Sequence, residues 1–224
     1  MAGKGEGMAT ILLVGNAVLD LINTVDHYPA EDEEMRAEAQ TVRAGGNAAN
    51  TAQILAQLGH KVELLALLAQ DRDGDELAAR LAAAGVQLTH IVRRPGHTPV
   101  SYITHNRASG SRTIVHHRDL PELGAADFPL DAALQSDWVH FEGRNVADLQ
   151  AMMAALKSAG YGGGISMEAE KPRPGLERLF GLADAVMASR PYVQASGFDS
   201  AQAFLSAQSG APSMFTCTWG AAGA

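Results

Sequence analysis

Cysteine is almost missing. Cys217 is the only one in 224 residues, so neither an intrachain disulfide nor a cysteine-built metal site can form, and a reducing, cytoplasmic setting fits. A lone thiol of this kind reads as buried and inert. Positive charge is also scarce: 17 Lys plus Arg stand against 25 Asp plus Glu, a formal net charge of -8. That balance excludes the basic face a nucleic-acid partner requires, though not a small anion held locally. No apolar run approaches the roughly 18 residues that a membrane span needs, so a membrane is not an expected partner. The opening "MAGKGEGMAT" has no apolar signal core, and the second methionine, Met8, makes residues 1–9 read as an appended or disordered lead to a domain over 10–224. No G-x-G-x-x-G follows the first apolar run, where "VGNAVLD" stands instead, which excludes a dinucleotide-binding dehydrogenase. Internal repeats, heptads and low-complexity linkers are absent too.

What is present is an alternation. A chain of this length forms one α/β core that buries roughly 70% of its unfolded surface. "TILLV" at 10–14 is too short and apolar for anything but a buried strand. Residues 47–58 place Ala48, Ala52 and Leu55 on one helical face, with Asn47 as the expected cap and Gly59 as the stop. "KVELLALLA" at 61–69 reads as one strand, and 73–85 as a helix capped by Asp73 and ended by Gly85. Strands near 137–141, 164–168, 184–188 and 213–218, with a helix near 147–159, continue the pattern. It predicts a doubly wound, mostly parallel sheet flanked by helices. Two segments break the rhythm: 21–43 is polar and irregular, and 98–117 holds two alternating stretches joined by "ASGS", a β-hairpin. Both insertions are expected to form a small β-sheet lid.

The motif "AGGNAAN" puts two glycines before two asparagines at the mouth of a helix. Gly45 and Gly46 allow close backbone approach or positive φ, and Asn47 and Asn50 offer amides suited to polyol hydroxyls, unless they only cap and decorate the helix. Asp20 follows the first strand near the sheet's carboxyl edge, where it either accepts sugar hydroxyls or is a turn aspartate. Arg112, after the hairpin turn, suits a phosphate if the lid closes, and is otherwise a solvated lid residue. Glu142, Arg144, Asn145, Glu168 and Lys171 end two strands, as substrate ligands or ion-pair partners. His116 and His117 point to opposite faces and read as lid surface, not a metal site.

Taken together, "VLDLI", "DHYP", "GGNAAN", "ASGSRTI", "HFEGRN" and "EKPR" resemble the ribokinase-like family of sugar and nucleoside kinases over residues 10–224. The resemblance implies transfer of the γ-phosphoryl of ATP, with Mg²⁺, to a hydroxyl of fructose or a related ketohexose. By it Asp20, Gly46, Asn47 and Asn50 bind the sugar, Arg112 reaches the phosphates, and Thr218, Gly220 and Gly223 lie near the nucleotide. The two insertions become a β-clasp through which such kinases form homodimers. Two departures accompany it. "SRPY" at 189–192 stands where many members carry N-x-x-E, and the family's D-T-x-G-A-G-D segment, with its general-base aspartate, is not among these 224 residues. No carboxylate present inherits that base role, so impaired catalysis is expected of the chain as given, along with an uncovered apolar sheet face. Phosphorylation of another sugar or a nucleoside, or silent sugar binding and dimerisation, remain the alternatives.

Overall fold

In the computed structural model, which describes residues 7–208, 210 and 212–224, the expected alternation is realised. In chain order the strands are β1 (Thr10–Val14), β2 (Val18–Val25), β3 (Ala39–Gly45), β4 (Lys61–Leu65), β5 (Leu67–Ala69), β6 (Val92–Arg94), β7 (Val100–Asn106), β8 (Arg112–His117), β9 (Trp138–Glu142), β10 (Gly164–Ala169), β11 (Ala185–Ser189) and β12 (Met214–Thr218). The helices are α1 (Asn47–Gln57), α2 (Arg72–Ala83), α3 (Leu130–Gln135), α4 (Val146–Ser158), α5 (Arg190–Ala195) and α6 (Ala201–Ala207). The reading of residues 1–9 as a lead falls for 1–6 outside the described residues.

The main sheet runs β12-β11-β10-β9-β1-β4, and every neighbouring pair is parallel. Its strands are near-continuous apolar runs because most are covered on both faces. One core packs Leu12, Phe141, Met153, Ile165 and Val186 under α3 to α6. The other packs Leu13, Leu64, Leu77 and Leu81 with the alanines of α1. Ala48, Ala49 and Ala52 are fully buried, so α1 lies close against the sheet and its first turn sits over the ends of β1 and β9.

A second sheet, β3-β2-β7-β8, is the predicted clasp. The segment expected to be irregular in fact carries most of β2 and β3, and β2 begins at Val18. Asp20 is therefore a clasp residue, not a residue of the main sheet's edge. Two further expectations change. "KVELLALLA" breaks at Ala66: β4 joins the main sheet beside β1, while β5 leaves it to pair with β6. The cap of α2 is Asp71, two residues earlier than Asp73, because its Oδ1 accepts from Gly74 N–H at 2.7 Å while both oxygens also bind Thr98. No helix among the described residues is long and apolar enough to cross a membrane.

Candidate active site

The twin glycines answer to two separate constraints. A Cβ on Gly45 would lie 2.1 Å from Asp20 Oδ2, so the carboxylate occupies the space a side chain would need. At Gly46, φ is +96°, and a Cβ would stand 2.5 Å from the carbonyl oxygen of Asn16. Only glycine satisfies either position. Gly46 is also the cap residue of α1, with no side-chain cap bond, which corrects the assignment of the cap to Asn47. Asn47 is the first residue of the helix, and its Nδ2 donates to Glu170 Oε2 at 3.1 Å. Asn50, one turn on, is exposed. Asp20, Gly46, Asn47 and Asn50 thus gather at one corner, where clasp and helix mouth meet. Burial raises the pKa of Asp20, opposed by a hydrogen bond from Ser101 and by the charges of His116 and Arg112.

Beneath that corner Glu142 is 5% exposed. Its Oε2 accepts the backbone N–H of Asn16 at 2.8 Å and of Ala48 at 3.2 Å. This carboxylate clamps the turn after β1 to the first turn of α1, where negative charge is favoured. Arg144 grips Glu122 through Nε and Nη2 at 3.1 and 2.8 Å, with Nη1 3.6 Å from Glu142. Asn145 is turned to Leu123 and Asp148, which accept from its Nδ2, and it lies on the Glu122 side of the clamp. Sequence reasoning missed Arg118. At the exit of β8, it donates to Asn16 Oδ1 at 2.7 Å and to the carbonyls of Leu120 and Pro121. Its signal was faint, since one arginine after a hairpin looks like any other.

A cleft of about 680 Å³ opens from this corner across the main sheet, lined by Asn47, Asn50, His140, Glu168 and Thr218 among others. Glu168 is pushed up to about 7, first by burial and then by the charges of Glu142 and Glu170. His140, at the cleft floor, is pushed down to about 4 by burial and is neutral. Trp138 Nε1 donates to Ser166 Oγ at 2.7 Å, and that oxygen lies 2.8 Å from His140 Nδ1. The serine oxygen thus joins the indole to the imidazole, accepting from the first and hydrogen-bonded to the second. Thr218 ends β12 at this cleft. Gly220 and Gly223 follow in a short turn at φ +63° and +95°, with open space where each Cβ would be, while Arg190 stacks 5.3 Å above the Trp219 ring. Bare backbone beside a cation is a wall that fits phosphate oxygens. Among the described residues, no three His, Cys, Asp or Glu side chains are grouped to hold a metal.

Arg112 is exposed at the tip end of β8, opposite His105. It stands four residues, about 13 Å of strand, from the His116 row that contains Asp20. Ser101 was not singled out in the sequence; His116 is exposed on the lid, as read, and its Nδ1 also lies 3.2 Å from Ser101 Oγ.

Comparison with known proteins bears on the family and the fold. Residues 8–196 match the model of the pfkB family carbohydrate kinases. Ketohexokinase of Mus musculus is 34% identical over 199 residues, covering 85% of this chain and 67% of that protein. The structure of ribokinase from Giardia lamblia superposes with a TM-score of 0.78 over 96% of this chain and 70% of its own, at 17% identity, a likeness of fold. Fructokinase with bound ATP from Xylella fastidiosa gives 0.65 at 25% identity, covering 84% of this chain and 63% of its own. The chain therefore spans about two thirds of the length of these relatives.

Proposed function

Since this chain belongs to the pfkB family of carbohydrate kinases, we propose that its corner of Asp20, Gly46, Asn47 and Asn50 binds fructose or a related ketohexose for phosphorylation by MgATP. The observation that carries the reading is the Asp20 carboxylate seated on Gly45 beside the mouth of α1. A carboxylate there accepts two hydroxyl hydrogens, and the two amides read the remaining hydroxyls. Glu142 holds the turn and helix end that present these groups, and Asn145 braces the same region. Positioning and charge stabilisation do most of the work in such a transfer. Arg112 reaches the phosphates when the clasp closes, and Thr218, Gly220 and Gly223 carry the nucleotide end. Mg²⁺ enters with ATP as part of the co-substrate and supplies charge neutralisation at the phosphates.

Two of the carboxylates at this corner are committed elsewhere: Asp20 holds sugar, and Glu142 is occupied by backbone N–H groups, which leaves Glu168, on the lining of the cleft, as the one to test as a base. These 224 residues are expected to bind sugar and to transfer the phosphoryl group weakly. Phosphorus NMR with MgATP and fructose tests this, alongside calorimetric titration of fructose, ribose and adenosine. Fructose binding with little or no sugar phosphate is the expected result. Sugar phosphate formed in proportion to protein would overturn the impairment, and preference for ribose or adenosine would reassign the substrate.

A further inference from the structure

The clasp registers three polar side chains in one row. Asp20 on β2 lies opposite Ser101 on β7, which lies opposite His116 on β8, so the three share a face of the sheet. The next row outward is Ile22, Ile103 and Ile114. Ser101 is buried, and its hydroxyl is shared between the carboxylate on one side and His116 Nδ1, 3.2 Å away, on the other.

A hydroxyl has one hydrogen to give. An ionised carboxylate only accepts, so that hydrogen goes to Asp20. Ser101 Oγ must then accept from His116, which requires the proton on Nδ1. Both hydrogens consequently point the same way along the row, toward the carboxylate. Partial burial and the charges of Arg118, Arg144 and Lys171 lower the pKa of His116 against the pull of Asp20, which favours the neutral ring, and the row selects its tautomer.

We propose that Ser101 and His116 are positioning residues for Asp20. They occupy one acceptor position of the carboxylate and fix its plane over Gly45, leaving its other lone pairs aimed at the sugar. His117, on the opposite face, takes no part. Both histidines are exposed, and only His116 reaches the row.

This role rests on the sugar-binding reading of Asp20, and the experiment separates the two. Long-range proton–nitrogen NMR of the folded chain reads the His116 tautomer without any sugar present. The Nδ1–H form is expected, changing on Ser101→Ala. Calorimetry with fructose then compares Ser101→Ala, His116→Phe and the double variant. Each single change should weaken binding about tenfold, as for one charge-assisted hydrogen bond, and the pair no further, because the row acts as a unit. His116→Asn, whose amide nitrogen stands near the place of Nδ1, should restore most of the affinity, and His117→Phe should leave it unchanged. An Nε2–H tautomer, or full affinity in Ser101→Ala, overturns the proposal. An Nδ1–H tautomer that answers to Ser101→Ala in a chain binding no sugar overturns the sugar reading instead and leaves the row as the support of Asp20.

Discussion

Glu168 stands opposite Glu142 in the register of β10 and β9, with Glu170 two residues on, so three carboxylates crowd the space behind Asn47. Its pKa is raised from the usual 4.5 to about 7. The folded state therefore holds a proton that the unfolded chain has released, and stability falls as pH rises from about 4.5 to about 7. Glu168→Gln removes that loss. At pH 8 it should stabilise the fold by on the order of 1 to 2 kcal/mol after allowance for solvent screening, and at pH 4 by little. Urea unfolding at the two pH values checks this, and an equal effect at both would contradict it. At this scale the sequence was legible where a residue's neighbours along the chain carried the signal. Gly45, Gly46, Asn47 and Asn50 announce themselves within six positions. Ser101 and His116 do not, because they meet Asp20 only through strand register, and a serine or histidine in an alternating strand looks like surface.

The clasp is anchored to the sugar corner by Arg118, which leaves β8 and binds the Asn16 side chain. The Asn16 carbonyl in turn accepts from Ala49 N–H at 3.2 Å and underlies Gly46. Movement of the clasp is thereby tied to the turn that sets the mouth of α1. Arg118→Met should leave the main sheet intact while speeding amide exchange in β7 and β8 by about tenfold or more, since three hydrogen bonds at the exit are lost. Hydrogen exchange resolved by peptide measures it, and unchanged clasp exchange would show that the strand ladder alone holds the lid. At the scale of elements, the helix ends at Gly59 and Gly85 and the hairpin around "ASGS" were readable from local turn chemistry. The break at Ala66 was not, because both halves of "KVELLALLA" are equally apolar and only their partners differ. Asp71 was missed as a cap because Thr98, which fixes it, comes 27 residues later.

For the whole molecule, β8 is the outer strand of the clasp, every residue of it exposed, with Tyr102, Ile114 and Val115 among the large apolar side chains in solvent. An edge of that kind invites pairing. The homodimer expected from the family resemblance would use it. Sedimentation at micromolar concentration should show a dimer that Ile114→Asp with Val115→Asp converts to monomer, and a wild-type chain sedimenting only as monomer would sink this reading.

The strand order also sets a schedule for biosynthesis. β1 lies between β4 and β9, so the earliest strand among the described residues is an interior one. Between Leu65 and Trp138 lie 72 residues, during whose synthesis β1 has β4 on one edge and not yet β9 on the other. At ordinary elongation rates that interval is about 4 to 15 s. For that time "ILLV" offers a bare apolar edge, a natural hold point for a chaperone, and the sheet's centre is sealed only when β9 arrives.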